Sequence, residues 1–581
     1  MIPTIPTRSA GLFVPVFALR STGDLGVGDT GSLREMVDWC AETGFKVLQI
    51  LPINETSDDN SPYNAISSLA LDITTLAISP DLIPGLSKEA FQAKVSPEFL
   101  KCLRDGSVQY RSVKSLKWSL CEDAFEAFSA GHASQRDQAV FEQFLLEEKK
   151  WIDDYALFRA LVELNGHPAW ERWPEGQRSP SLACGWWASL AGSEFEGWSR
   201  RVRFYSFVQW LLYRQWAELA RYAEWKGVNL MGDMPFGVSR HSADVWAQPE
   251  QFDLGWSGGA PPEPMFQPDA FTAKWGQNWG VPIYRWDQME KNNYAWWRTR
   301  VRGVARFFKL FRIDHVLGFY RVFSFPWQPQ ENGAYTELSM EEAFTRAGDL
   351  PRFLPHDDTT PENQLANQRH GETILKMIKE AAGDSLIVAE DLGVVPDYVR
   401  PSLLGLGMSG FKIPMFEREE NTREYKNPKT YAELTVATLS THDHETMAGI
   451  WDGWWDSVEK DLGKGKFPVG NEGLSEAGRQ ASWELYRTQR FCGLSDEQLI
   501  RSFEPQVREA LIKTLLDSPS WLAIVMITDV FGLKMRFNVP GPVAESNWSQ
   551  RLNVDNETLK RDSFHTGAME FVKKQIQSAG R

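Results

Sequence analysis

The chain has 581 residues, of which 42% are hydrophobic and 24% are charged, and its formal net charge is −15. This length and composition are typical of a globular protein with a large core. The negative charge argues against a general role in binding nucleic-acid phosphates, and it is compatible with a neutral ligand.

The first part of the chain predicts a strand–helix–strand unit. Residues 11–17 and 47–51 are typical of strands, and apolar residues at helical spacing lie between them. Residues 26–31 in this interval match the pattern GxGxxG. They do not follow a strand directly, and Ser32 and Glu35 predict a capping box that satisfies the helix N-terminus from within. We therefore expect no nucleotide binding here.

The pattern changes after the second strand. Residues 79–226 are rich in helix formers, Trp and Glu, and they predict a mainly helical insertion between strands two and three. This insertion divides the predicted catalytic barrel into residues 1–78 and 227–581. Strand three is predicted at 228–231, and residues 238–297 form a long excursion rich in Gly, Pro and Trp. An excursion of this length in a compact protein is typical of a functional loop or lid.

Three later strands are predicted to end in acidic residues, namely Asp314, Glu390 and Asp443. Shorter strand candidates at 411–414 and 521–528 bring the number of strands to eight, alternating with helices. This order predicts a (β/α)8 or TIM barrel, in which the C-terminal ends of the strands carry the chemistry. We therefore expect the three acids to share one site at that mouth.

Short motifs along the predicted barrel are more specific in combination than alone. They are Ser61-Pro62-Tyr63, Gly232-Asp233-Met234-Pro235, Ser242-Ala243-Asp244-Val245-Trp246, Gly276-Gln277-Asn278-Trp279-Gly280, Arg312-Ile313-Asp314-His315, Ala389-Glu390-Asp391-Leu392-Gly393, Thr441-His442-Asp443, Asn538-Val539-Pro540-Gly541 and Asn547-Trp548. In this order they resemble the 4-α-glucanotransferases of glycoside hydrolase family 77, the amylomaltases or disproportionating enzymes. The resemblance implies transfer of α-1,4-glucan segments from maltooligosaccharide or glucan donors to glucose or glucan acceptors.

The resemblance also implies roles for the three acids. Asp314 would be the nucleophile that forms a covalent β-glucosyl-enzyme, Glu390 the general acid and then the general base, and Asp443 the stabiliser of the transition state. Such a retaining double displacement needs two carboxyl groups about 5–5.5 Å apart with pKa values pushed apart. Arg312 lies two residues before Asp314 on the same strand face and is expected to keep the nucleophile ionised. A structural ion pair is the alternative role for Arg312.

Substrate contacts follow from the same resemblance. Tyr63 would stack on the donor sugar, and Asp233, His315 and His442 would bind its hydroxyl groups. Further contacts in the donor loop or on the acceptor side are implied for Gln277, Trp279 and Asn538. The loop expected to overhang the cleft begins at residues 261–263 and continues to residue 271.

Two other functions remain open on the sequence. A plain α-glucan hydrolase of the α-amylase type would use the same three acids, because they do not decide whether water or a sugar reaches the intermediate. The second is a non-catalytic glucan-binding protein, against which the intact Asp314, Glu390 and Asp443 argue.

The sequence predicts neither a cofactor nor a metal site. It contains no Walker sequence, no EF-hand loop and no Cys/His cluster. Five widely spaced cysteines, the absence of a signal-peptide pattern and the absence of a long apolar run predict a cytoplasmic protein that does not span a membrane.

Overall fold

Eight parallel strands form a closed barrel at the centre of the molecule. The computed structural model describes residues 5–57, 59–263, 267–541 and 546–581. Their strands are β1 Ser9–Phe13, β2 Val47–Gln49, β3 Asn229–Met234, β4 Phe252–Ala260, β5 Gln277–Tyr284, β6 Leu310–Ile313, β7 Val322–Phe325, β8 Arg352–Leu354, β9 Leu386–Ala389, β10 Gly410–Lys412, β11 Thr435–Thr438 and β12 Leu522–Met526. Eight of these pair in the order β10-β11-β12-β1-β2-β3-β6-β9. The Ala389 N–H donates to the carbonyl of Ser409 at 2.8 Å, directly before β10, and this contact closes the barrel.

The helices surround this barrel and fill its insertions. They are α1 Thr30–Thr43, α2 Lys88–Lys94, α3 Pro97–Arg104, α4 Tyr110–Ala127, α5 Gln135–Glu147, α6 Lys149–Asn165, α7 Pro180–Ser189, α8 Gly192–Trp225, α9 Ala243–Ala247, α10 Ala270–Trp275, α11 Trp286–Lys291, α12 Ala295–Ala305, α13 Met340–Ala347, α14 Pro361–Ala382, α15 Val399–Leu406, α16 Met447–Leu462, α17 Glu476–Phe491, α18 Gln506–Leu516, α19 Ile527–Val530, α20 Asn556–Leu559 and α21 Ser563–Ser578. Helices α2–α8 lie between β2 and β3, so the predicted (β/α)8 barrel with a mainly helical insertion is confirmed. Within the described ranges, none of these helices combines the length and the apolar character needed to cross a membrane.

The barrel interior is packed with side chains. Strands β11 and β12 are buried at every residue, as expected for parallel strands that are covered by helices outside and filled within. A Cβ added to Gly11 would lie 3.2 Å from Ile524 and 3.3 Å from Val47, so β1 leaves no spare room. The cavity beneath the mouth, which Phe13 and Ile524 line, measures only about 10 Å³. Packed side chains therefore close the barrel beneath its mouth.

The N-terminus of α1 differs from its prediction. Asp29, rather than Ser32, is the N-cap residue, and its Oδ1 accepts the N–H groups of Gly31 at 3.0 Å and Ser32 at 3.1 Å. The predicted capping box is therefore wrong, because the helix begins earlier than the apolar periodicity suggests. The carboxylate occupies the donors that a phosphate would need. Gly28 serves close packing instead, since a Cβ there would lie 1.9 Å from the carbonyl oxygen of Val16.

The excursion between residues 238 and 297 contains strands that the sequence does not predict. Strands β4 and β5 pair with β7 and β8 in an antiparallel sheet of order β5-β4-β7-β8. The glycines of β4 weaken its strand signal, but Gly259 is needed there because a Cβ would lie 2.0 Å from the carbonyl oxygen of Gln277. Of the loop expected over the cleft, residues 264–266 lie outside the described residues.

Candidate active site

One buried guanidinium organises the carboxylates at the barrel mouth. Arg312 Nη1 lies 2.9 Å from both carboxylate oxygens of Asp233, and Nη2 lies 2.9 Å from Asp314 Oδ1 and 4.0 Å from Glu390 Oε2. The sheet register explains this convergence. Asp233 in β3 is paired with Arg312 in β6, which is paired in turn with Val388 in β9, two residues before Glu390. Acids from three neighbouring strands therefore surround one cation.

Backbone hydrogen bonds beyond the strand ends hold the two acids predicted to react. The Asp314 N–H donates to the carbonyl of Met234 at 3.0 Å, and the Glu390 N–H donates to the carbonyl of Ile313 at 3.0 Å. The N–H of His315 then donates to Glu390 Oε2 at 2.8 Å. His315 has a φ of 43°, in the left-handed region that non-glycine residues rarely adopt. This turn directly after Asp314 aims the N–H of His315 at Glu390.

The environments of Glu390 and Asp443 push their pKa values in opposite directions. Burial raises the pKa of Glu390 to about 8, with Asp314 adding to the rise and Arg312 opposing it. Burial also disfavours ionisation of Asp443, but His442 Nε2 at 3.1 Å and Asn538 Nδ2 at 2.6 Å hold its pKa well below the usual range. At neutral pH the site thus offers one protonated and one ionised carboxyl group, which acid–base chemistry requires.

The position of Asp443 depends on an arginine that sequence reasoning missed. Arg536 Nη2 donates to the backbone carbonyl of Asp443 at 2.6 Å, and its Nε donates to the carbonyl of Asn538 at 2.7 Å. One guanidinium therefore links the loop after β11 to the segment that carries Asn538. Its only signal in the sequence is its place two residues before the Asn538 motif.

Tyr63 connects Asp233 with His442. Its hydroxyl donates to Asp233 Oδ2 at 2.7 Å and lies 3.0 Å from His442 Nε2. The Tyr63 and His442 rings stack at a centroid distance of 5.4 Å and an angle of 15°, and Trp548 packs against both rings at 5.8 Å. Burial raises the pKa of Tyr63 well above its usual value, so the phenol remains a donor.

Trp279, in strand β5 of the antiparallel sheet, contacts His315 at the barrel mouth. Its ring meets the edge of His315 at a centroid distance of 4.8 Å and an angle of 84°, and 37% of its surface is exposed. Its Nε1 donates to Gln277 Oε1 at 3.3 Å. Burial lowers the pKa of His315 to about 4, so this imidazole is neutral. Contacts thus connect every residue predicted for the site, while their catalytic and binding roles stay predictions.

The described part of the chain presents no cluster of metal ligands. It contains no group of three or more His, Cys, Asp or Glu residues arranged to hold an ion. The carboxylates at the mouth face Arg312 and hydrogen-bond donors instead.

Comparison with proteins of known sequence gives matches over nearly the full length. A 4-alpha-glucanotransferase from Chlamydia pneumoniae is 29% identical over 98% of this chain and 96% of its own. A 4-alpha-glucanotransferase from Thermus thermophilus is also 29% identical, over 94% of this chain and 95% of its own.

Solved structures support the fold independently. The amylomaltase from Streptococcus agalactiae in complex with acarbose superposes with a TM-score of 0.73 at 24% identity, covering 99% of both chains. The amylomaltase from Corynebacterium glutamicum gives a TM-score of 0.72 at 21% identity, covering 98% of this chain and 75% of its own. The family model described as 4-alpha-glucanotransferase matches residues 14–556. The chain therefore belongs to glycoside hydrolase family 77, a family of glucan-transferring enzymes.

Proposed function

We propose that this enzyme transfers α-1,4-glucan segments from maltooligosaccharide or glucan donors to glucose or glucan acceptors by a retaining double displacement. Family membership supports the transferase class. The observation that carries the mechanism is the arrangement of Asp314 and Glu390 around Arg312, with the pKa of Glu390 raised to about 8.

The spacing of the two carboxylates favours retention of configuration. Arg312 Nη2 lies 2.9 Å from Asp314 Oδ1 and 4.0 Å from Glu390 Oε2, so these two oxygens are less than about 7 Å apart. Retaining enzymes hold their carboxyl groups roughly 5–5.5 Å apart, and inverting enzymes need roughly 6.5–9.5 Å to admit a water. The upper limit that Arg312 sets on the distance between the two oxygens overlaps only the lower end of the range for inverting enzymes.

In the first step Asp314 attacks the anomeric carbon of the donor while the glycosidic C–O bond breaks. The proton of Glu390 passes to the leaving sugar oxygen. Arg312 stabilises the negative charge of Asp314 before the attack, and the ionised Asp443 stabilises the positive charge that develops on the sugar ring.

In the second step an acceptor hydroxyl attacks the same carbon from the opposite face. Its proton passes to Glu390, and the bond between carbon and Asp314 breaks. Two inversions restore the α configuration. Water competes at about 55 M, and an oriented acceptor hydroxyl can outcompete it because effective molarities reach roughly 10⁵ M or more. Trp279, with its exposed ring at the mouth, is suited to hold a sugar there.

Maltotriose tests this function directly. We expect the enzyme to convert it into glucose and a ladder of longer maltooligosaccharides, with the total number of reducing ends nearly constant. Chromatography resolves the products by length, and a reducing-sugar assay counts the ends. An increase in reducing ends in step with substrate loss would identify a hydrolase of the α-amylase type instead. Binding without any product would identify a glucan-binding protein.

The pH profile tests the role of Glu390. Because burial raises the pKa of this carboxyl group to about 8, the general acid stays protonated at neutral pH and loses its proton above that value. We expect kcat/KM on maltotriose to fall above pH 8 by about tenfold per pH unit. A donor with a leaving group that needs no protonation should show a weaker fall. A basic limb of the same steepness for both donors would contradict Glu390 as the acid.

We also propose a cytoplasmic location, which the cysteines support. All five are free thiols in the structure, and two of them, Cys102 and Cys184, are exposed. Exposed free thiols persist in a reducing compartment. Recovery of the activity from the secreted or periplasmic fraction of the source cells would contradict this location.

A further inference from the structure

One face of helix α17 carries two aromatic rings and two arginines, of which Trp483 and Arg490 are exposed and Tyr486 and Arg487 are partly buried. The set begins at Trp483 and continues three, four and seven positions later with Tyr486, Arg487 and Arg490. This spacing places the four side chains in one stripe along the helix. The opposite face contains the buried Leu485 and packs towards α16. The apolar face of this amphipathic helix is thus already covered, and the stripe faces outwards.

The stripe forms one wall of a cavity. The other wall is the hairpin after β10, which the bridge between Arg418 and Tyr425 closes and which carries Glu424 near its tip. The cavity measures about 230 Å³ and is open to solvent. Pockets for whole small ligands measure roughly 300–1,000 Å³. The Trp483 cavity, as we call it, therefore suits a segment of a longer molecule.

The charges around the Trp483 cavity cancel. Three guanidinium groups and three carboxylates pair with one another, in contacts of Arg418 with Glu484, Arg487 with Glu484 and Glu424, and Arg490 with Glu424 and Asp496. The N–O distances range from 2.6 Å for Arg490 with Glu424 to 3.6 Å for Arg487 with Glu424. An anion gains little attraction here, whereas a neutral ligand with many hydroxyl groups meets both donors and acceptors held in place.

Trp483 supplies the apolar surface that a sugar needs. Its side chain is 47% exposed, although it lies beside a cavity. Within the described ranges, no other aromatic ring packs against its indole. A flat ring next to fixed polar groups matches a pyranose, whose C–H faces are apolar and whose rim carries hydroxyl groups.

Both walls of the Trp483 cavity belong to segments that follow strand ends at the barrel mouth. The hairpin follows the C-terminal end of β10, and α16 and α17 follow the C-terminal end of β11, the strand that precedes Asp443. Phe416, at the base of the hairpin, packs against His444 at a ring distance of 5.3 Å. Glu424 lies eight positions after Phe416, which limits the distance between their Cα atoms to roughly 29 Å.

We propose that the Trp483 cavity binds a neutral α-glucan chain beyond the catalytic subsites, so that the enzyme favours long glucans over short maltooligosaccharides. This inference rests on the proposed function, because it names the substrate class of the same enzyme. The glucan stacks on Trp483 and exchanges hydrogen bonds with Arg487, Arg490 and Glu424. A chain that extends from the mouth along the hairpin reaches this cavity.

Affinity electrophoresis in native gels containing amylopectin tests the proposal. We expect Trp483→Ala to raise the apparent Kd for amylopectin roughly three- to tenfold, the loss of one aromatic stacking contact. The KM for amylose should rise by a similar factor, and more than any change in the KM for maltotriose. Trp483→Phe should retain most of the binding.

Trp225 provides the matched control, because it is a 75% exposed tryptophan at the end of α8, away from this cavity. Trp225→Ala should bind amylopectin like the unmodified enzyme. An unchanged Kd in Trp483→Ala, an equal loss in Trp225→Ala, or displacement of amylopectin by inorganic phosphate would each overturn the proposal. The gel measures binding whether or not the enzyme turns over. A failure of the proposed function would therefore be detected separately, as absent transfer on maltotriose.

Discussion

Asp314→Ala should lower kcat on maltotriose by roughly 10⁴-fold or more, because it removes the group that we propose forms the covalent intermediate. Glu390→Gln should lower kcat by roughly 10²–10⁴-fold, the usual contribution of a general acid. In the unmodified enzyme the N–H of His315 donates to Glu390 Oε2 at 2.8 Å. The Gln side chain keeps an oxygen that can accept this hydrogen bond, so the fold should be retained. Steady-state kinetics together with thermal unfolding separate lost chemistry from lost structure.

Azide distinguishes the two roles by stereochemistry. With an α-glucosyl fluoride donor, Glu390→Ala can still form the β-linked intermediate on Asp314, since fluoride leaves without a proton. Azide then displaces Asp314 from the α face and yields α-glucosyl azide. In Asp314→Ala, azide takes the place of the missing nucleophile and yields β-glucosyl azide directly. The same anomer from both variants, or full activity of Asp314→Ala, would refute this pair of roles.

The acids proposed to be catalytic can be recognised in the sequence because of how barrels are built. A buried parallel strand is a short apolar run, and the first polar residue after it emerges at the mouth. Asp314 and Glu390 follow such runs in β6 and β9, so their convergence follows from the barrel itself. The side chains that tune them are also predictable where a motif names them, as for Arg312 and Asn538.

The structural features that the sequence does not predict depend mostly on contacts between residues that are far apart in the chain. Arg536 acts on the backbone carbonyl of Asp443, 93 residues away, and no local pattern records such a contact. Strand β4 contains glycines because β5 approaches closely, so the feature that makes it a strand also lowers its strand propensity. Asp29 caps α1 one turn before the periodicity begins. Long-range packing decided the first two cases, whereas the cap of α1 is a local contact that precedes the apolar periodicity.

Arg312→Met should destabilise the enzyme by about 3–5 kcal/mol at pH 7, because it leaves the carboxylates of the buried Asp233 and the partly buried Asp314 without their shared cation. The activity should fall at the same time. Arg300→Met is the matched control. Arg300 is also buried, but its guanidinium bonds the carbonyls of Pro235 and Gly237 rather than carboxylates. Both variants should lose stability, for different reasons.

The pH dependence separates those reasons. In the unmodified enzyme burial raises the pKa of Glu390 from 4.5 to about 8, so stability declines as the pH rises through that interval. Arg312 is the strongest influence that lowers the pKa of both Glu390 and Asp233, so its removal raises both values and extends the decline to higher pH. The stability deficit of Arg312→Met should therefore grow as the pH rises and continue to grow above pH 8, where Glu390 ionises in the unmodified enzyme but stays protonated in the variant. The deficit of Arg300→Met should stay constant, because carbonyl groups do not titrate. Apparent Tm values from pH 4.5 to above pH 8 measure both, and parallel deficits would mean that Arg312 does not hold these carboxylates.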